Sequence, residues 1–116
     1  MSMRRSIPGA VARGLLPALL ALAAVPAALA QAGDVAIGRQ KAAACAVCHG
    51  PLGLANAPET PSLAGQPAGY LAAQLKAFRS GARRHEVMAV IAKPLSDEDI
   101  AHLSAWYAAL QVSVTP

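Results

Sequence analysis

What most limits the folds open to this chain is its shortage of bulky apolar side chains. From Gln31 to Pro116 there are 86 residues, of which 44 are hydrophobic, but 20 of these are alanine and two are cysteine. A domain of this size is close to the lower limit at which side chains alone build a sufficient core. Something else has to fill part of the interior, and a disulfide, a metal or a bulky cofactor would each serve. Abundant alanine with only scattered valine and isoleucine favours helix over sheet, so the expected enclosure is helices joined by loops.

Met1 to Ala30 is kept out of that count because it reads as a separate object. It holds three of the ten basic residues (Arg4, Arg5 and Arg13), no acidic residue, an apolar stretch from about Gly14 to Val25, and the small residues Ala28-Leu29-Ala30. These are the three parts of a secretory signal peptide, with cleavage expected after Ala30. The expected division is therefore a signal peptide over 1–30 and one domain over 31–116. A retained anchor is the alternative, but this stretch, with Pro17 inside it, falls well short of the roughly 20 residues that span a bilayer. No later stretch is long or apolar enough, so no membrane span is expected once the signal is removed. The domain is expected in the periplasm, where its two cysteines meet an oxidising compartment. It carries seven basic and six acidic residues, which removes the argument for a nucleic-acid partner that the basic whole-chain total suggests.

Three helices can be read along the domain. The first, about Asp34 to Ala44, has Asp34 as N-cap and good helix formers throughout except Gly38, whose cost there of about 1 kcal/mol suggests close approach by another element. From Gly50 to Pro67, seven glycines and prolines interrupt any helical period, as in a loop wrapped around something. The second helix, about Pro67 to Arg79, places Leu71, Leu75 and Phe78 on one face and stops at Ser80-Gly81. The last begins at Ser96-Asp97-Glu98-Asp99, a capping-box variant with three acids at the positive end of the helix dipole. Its stripe is Ile100, Leu103, Tyr107 and Leu110, with Trp106 on the shoulder and His102 off the stripe.

Cys45-Ala46-Val47-Cys48-His49 carries the chemistry. Two thiols one helical turn apart can add to the two vinyl groups of a haem while the adjacent imidazole reaches the iron from the same side. A thioredoxin-like pair would need a βαβ setting that the chain lacks. A disulfide across so short a loop would contribute little, and a zinc site would lack a second ligand cluster, because His85 and His102 stand far apart. For the opposite side of the iron the candidates are His85, Met88, His102 and a lysine. Met88 is the only methionine outside 1–30 and stands before the apolar run Ala89-Val90-Ile91-Ala92, where it serves either as iron ligand or as core filler.

With these residues in view, 33–110 resembles the class I c-type cytochromes, being most similar to the small bacterial mono-haem forms and to one half of the tandem di-haem type. The resemblance extends to Pro61-Ser62-Leu63-Ala64-Gly65-Gln66, Tyr70-Leu71, Gln74-Leu75, Phe78-Arg79-Ser80-Gly81 with Arg83, Met88, Leu95-Ser96-Asp97, Leu103 and Trp106-Tyr107. It implies an all-α cytochrome c fold, with three main helices and long loops around one covalent haem c and its iron. It assigns Cys45 and Cys48 to the thioethers and His49 and Met88 to the iron. The Pro61 carbonyl would accept from the His49 imidazole, and Leu63 would pack on the haem. It also implies a crossing of the first and last helices where Gly38 meets Trp106 or Tyr107. His85-Glu86-Val87 lacks the asparagine or tyrosine that some relatives place before the methionine.

The implied function is one-electron transfer between a donor and an acceptor redox protein in the periplasm, by an electron carrier rather than an enzyme. The alternatives are a haem subunit fixed within a dehydrogenase or oxidase complex, and a ligand-binding haem protein with an open iron. Lys76, Arg79, Arg83 and Arg84 form the basic cluster, either a solvated helix end or a clamp for propionates or an acidic partner; Arg83 matches the family pattern for the propionates.

Overall fold

The computed structural model describes residues 32–116 together with Gly9 and Gly14, so the segment read as a signal peptide otherwise lies outside the described residues. Five helices follow in order: α1 Val35–Lys41, α2 Ala43–His49, α3 Ala68–Ser80, α4 Glu86–Ala92 and α5 Asp97–Ala109. The expected all-α fold is the one observed, with no strand among the described residues. None of the helices described is long and apolar enough to cross a membrane.

The three expected helices are joined by two short ones. The first does not stop at Ala44: it turns at Ala42 and continues as α2 through Cys45 to His49. The Ala42 N–H bonds back to the Gly38 carbonyl at 2.9 Å, and the Ala42 carbonyl accepts from both Cys45 and Ala46 at 3.0 Å. One tight turn therefore separates the two helices without leaving backbone groups unpaired. The second addition, α4, starts at His85, whose Nδ1 accepts from the Met88 N–H at 3.2 Å. Histidine is an uncommon N-cap, which hid this helix in the sequence.

Helix α5 begins with the full reciprocal capping box: the Ser96 hydroxyl accepts from the Asp99 N–H and the Asp99 carboxylate accepts from the Ser96 N–H. Ile100, Leu103 and Tyr107 are buried as the stripe required, with Leu110 half-buried. Helix α1 crosses α5 at Gly38, where a Cβ would lie 2.0 Å from the His102 carbonyl oxygen and 2.8 Å from the Trp106 Cβ. The aromatic at the crossing is thus Trp106, and Tyr107 is turned elsewhere.

His102 corrects the sequence reading. Its position off the stripe suggested an outward side chain, but it is 9 % exposed, because α1 packs on that flank of α5 as well. Its Nδ1 accepts from the Asp34 N–H at 2.7 Å, and its Nε2 faces the Glu98 carboxylate at 3.4 Å. One of the orphan amides at the start of α1 is thereby paired from another helix.

A second tie joins the other end of α1 to α5: Lys41 Nζ lies 2.7 Å from Asp99 Oδ1. The bond from Lys41, with those from the Ser96 N–H and hydroxyl, lowers the Asp99 carboxyl from its ordinary 3.8 to about 2. Since the folded-state value is depressed, the associated stability is present above pH 3.8 and is lost as pH falls toward about 2. Thermal melts of the holoprotein between pH 5 and pH 2 are expected to show Asp99→Asn less stable at the upper end by about 0.5–1 kcal/mol, the range for a screened pair with a cap, and the gap closing at the lower end. A gap that persists to pH 2 would contradict this assignment.

Helix α3 buries Leu71 and Phe78, half-buries Leu75, and ends at Gly81 in the left-handed conformation. Arg79 at its last turn donates to the Leu95 carbonyl at 2.8 Å and to Asp97 Oδ1 at 2.6 Å, pinning α3 to the start of α5. The central cluster is Ala42, Leu71, Leu103 and Tyr107, with Cys45, Leu63, Leu75, Leu95, Trp106 and Leu110 packed against it.

Candidate functional site

The site begins with α2, which delivers three reactive groups in one short helix. Cys45 and Cys48 are both free thiols; Cys45 is half-buried against the core and Cys48 faces outward. Burial pushes the Cys45 thiol up from its ordinary value, which favours its protonated form. His49, the last residue of α2, is 8 % exposed.

The loop from Gly50 to Pro67 fixes the His49 ring. The Gly53 carbonyl accepts from both Leu63 and Ala64, at 2.7 and 3.1 Å, and the Ser62 hydroxyl accepts from the Ala55 N–H at 3.0 Å. These bonds fold the loop back on itself and leave the Pro61 carbonyl facing His49 Nδ1 at 2.8 Å. A carbonyl can only accept, so Nδ1 carries the proton and donates it, and Nε2 of the neutral ring keeps its lone pair for a metal. Leu63, two residues on, packs against the central cluster.

Across the molecule, Met88 is half-buried near the start of α4. His85 is exposed, with its Nδ1 occupied by the Met88 amide and its ring edge-on to Phe78 at 6.3 Å. His102 is held between Asp34 and Glu98. Of the four groups considered for the second axial position, two therefore have identified duties in holding helices together. Among the described residues no group of three or more His, Cys, Asp or Glu could hold a metal ion between them, which leaves the zinc reading without ligands.

The basic cluster divides. Arg79 is committed to Leu95 and Asp97. Arg83 is exposed, with its guanidinium bonded to Gln74 Oε1 at 2.8 Å and stacked 4.6 Å from the Phe78 ring centre. Tyr107 packs in the core with Cys45. No sequence signal distinguishes it from the other members of the α5 stripe.

The residues fit a covalent haem on two counts. The donor set is two free thiols and an imidazole with its outer nitrogen free, all from one turn of helix and its neighbour. The chain's own apolar groups also do not complete an interior: only Ala42, Leu71, Phe78, Ala92, Ile100, Leu103 and Tyr107 are buried hydrophobics among the described residues, while Leu54, Tyr70, Val87 and Val90 are more than half or about half exposed.

Comparison with known proteins agrees with this geometry. A model of the cytochrome c family matches residues 35–111. Cytochrome c-554(548) of Halomonas halodenitrificans is 46 % identical over 79 residues, covering 66 % of this chain and 95 % of that protein. The thiosulfate dehydrogenase electron acceptor of Thiomonas intermedia is 46 % identical over 77 residues, covering 66 % of this chain and 36 % of that one. Among solved structures, reduced recombinant cytochrome c4 from Pseudomonas stutzeri superposes with a TM-score of 0.67 at 36 % identity, over 72 % of this chain and 48 % of that chain. The chain thus spans nearly all of the first relative and less than half of the other two. By its sequence, fold and donor set, this chain belongs to the cytochrome c family, whose members transfer electrons with covalently bound haem c.

Proposed function

We propose that residues 31–116 act as a periplasmic electron carrier with one haem, held by thioethers to Cys45 and Cys48 and ligated by His49 and Met88. The observation that carries this reading is the His49–Pro61 bond, which sets the tautomer and the ring direction that an iron ligand needs before any group is bound. When bound, the haem supplies an iron that accepts and releases one electron. The chain's part would be to ligate the iron through His49, from a helix end braced by the loop, and Met88, from a helix whose first turn His85 caps. Two protein side chains on the iron would keep substrates from it and would limit the rearrangement that electron transfer requires. Leu63 forms part of the apolar wall and Arg83, exposed at the end of α3, is the candidate for a propionate partner. Val47, 77 % exposed between the two cysteines, marks the face that donor and acceptor proteins would touch in small, short-lived encounters.

A second reading, a haem subunit of a dehydrogenase complex, is favoured by the similarity to the thiosulfate dehydrogenase electron acceptor. Isolation of the native protein separates the two: a free monomer supports the carrier, and stable co-purification with a dehydrogenase supports the subunit.

Attachment is tested directly. The exported protein is expected to keep its colour on a denaturing gel stained for haem, and its intact mass to equal the polypeptide from Gln31 to Pro116 plus one haem. Colour running with the dye front would refute the thioethers, and a mass retaining Met1 to Ala30 would restore the anchor reading.

A further inference from the structure

We infer that Tyr107 is a positioning residue for the haem attachment, its hydroxyl donating a hydrogen bond to the sulfur of Cys45 once that sulfur is a thioether. This rests on the covalent-haem reading above and adds a role for a side chain that the reading leaves idle.

Tyr107 is 3 % exposed, and its hydroxyl is sealed from water with no partner meeting full hydrogen-bond geometry. An unpaired buried hydroxyl is destabilising, so as mere filler a phenylalanine would serve the core better. The ring cannot swing out to find water. The backbone of Gly53 lies against it, so closely that a Cβ there would come within 2.8 Å of the ring Cδ1, and the Tyr107 carbonyl is tied to the Gly65 N–H at 2.8 Å.

Cys45 packs on the same cluster, and its thiol is the side-chain group that interacts with the Tyr107 hydroxyl. The thiol is close enough to bias the phenol: burial foremost, then the charge and hydrogen bonding of Cys45, push Tyr107 above its ordinary range, so the hydroxyl keeps its proton. While Cys45 is a thiol, either group can donate to the other. When the S–H adds across a vinyl group, the sulfur bonds to one carbon and the proton ends on the other, so the sulfur can afterwards only accept. Tyr107 is then the sole donor of the pair, and its orphaned proton has an acceptor. Cys48, one helical turn on and exposed, has no such partner in the core. The two thioethers are therefore inequivalent, and a donor on one of them draws electron density from that edge of the haem, favouring the reduced state.

Two measurements test this. In the reduced, unmutated holoprotein, nuclear magnetic resonance is expected to show a slowly exchanging tyrosine hydroxyl proton in contact with the Cys45 β-protons. Tyr107→Phe keeps the ring, and is expected to shift one carbon–sulfur vibrational band and to move the one-electron equilibrium toward the oxidised form by about twofold or more, within the range of a single hydrogen bond. If the ring served only as core filler, losing the unpaired hydroxyl would leave both of these unchanged and would not lower stability. Rapid hydroxyl exchange with no Cys45 contact, or a folded Tyr107→Phe protein with unaltered potential and vibrations, would overturn the inference. If Tyr107→Phe does not fold, the resonance experiment on the unmutated protein decides alone. Absence of covalent haem from the unmutated chain would overturn both readings, whereas haem in place with the hydroxyl facing elsewhere would overturn only this one.

Discussion

A Cys45→Ser, Cys48→Ser double variant, exported and purified without haem, is expected to be largely unfolded, with far-ultraviolet circular dichroism showing little helix and no cooperative melt. The reason lies in the inventory of the interior. Seven hydrophobic residues are buried among those described, two of them alanine, and the central cluster holds only Ala42, Leu71, Leu103 and Tyr107. Three of the five helices have seven residues each, below the length at which a helix persists by itself in water. Ordering the backbone costs about 1–2 kcal/mol per residue, and so small a core does not offset that over a domain of this length. Strong native-like helicity with a sharp melt in the double variant would show that the polypeptide suffices without its cofactor.

The second large effect is expected at Met88. Replacing it with alanine removes the thioether from the distal position while leaving the α4 cap intact, because the capping bond to His85 uses the Met88 backbone. The reduced Met88→Ala protein is expected to bind carbon monoxide, which the unmutated protein should ignore, and to lose the weak sulfur-to-iron absorption at the red end of the oxidised spectrum. Its potential should fall by more than the roughly 59 mV that marks a tenfold change for one electron, since a soft thioether favours ferrous iron more than water or imidazole does. His85→Ala should leave ligand binding closed and act mainly on the stability of α4, by about 1 kcal/mol for a lost cap. Carbon monoxide binding by the unmutated protein would move the reading to an open iron, and an unchanged Met88→Ala spectrum would move the ligand to another residue.

Much of this was legible in the residues because local rules and the fold agree. The capping box at Ser96 and the face of Leu71, Leu75 and Phe78 each point to one arrangement, and the structure has it. The loop bond from His49 to Pro61 was reached only through the family resemblance, since nothing in the spacing of a proline twelve residues away fixes where its carbonyl turns. What escaped notice depends on contacts between distant segments. His102 was placed off the stripe because the periodicity of α5 counts one buried face, whereas α1 crossing at Gly38 buries a second. Arg79 was grouped with Arg83 as a basic patch, and only the approach of Leu95 and Asp97 shows it to be an internal brace. Helix α4 is hard to read from the residues because its first-turn amide is met by a histidine and its run of valine and isoleucine has no strong preference for helix.

The pairing of α1 with α5 bears on the order in which the protein can be made. The bond from Asp34 to His102 spans 68 residues, so its two halves cannot meet while the chain is still emerging, whether from a ribosome or through a membrane. Until α5 arrives, α1 and α2 are short helices with no neighbour to stabilise them. The cysteines would therefore lie on open chain, accessible to chemistry, for the whole of that interval. The late arrival of the last helix keeps that window open, and the contact between α1 and α5 sets in only when the whole domain has emerged.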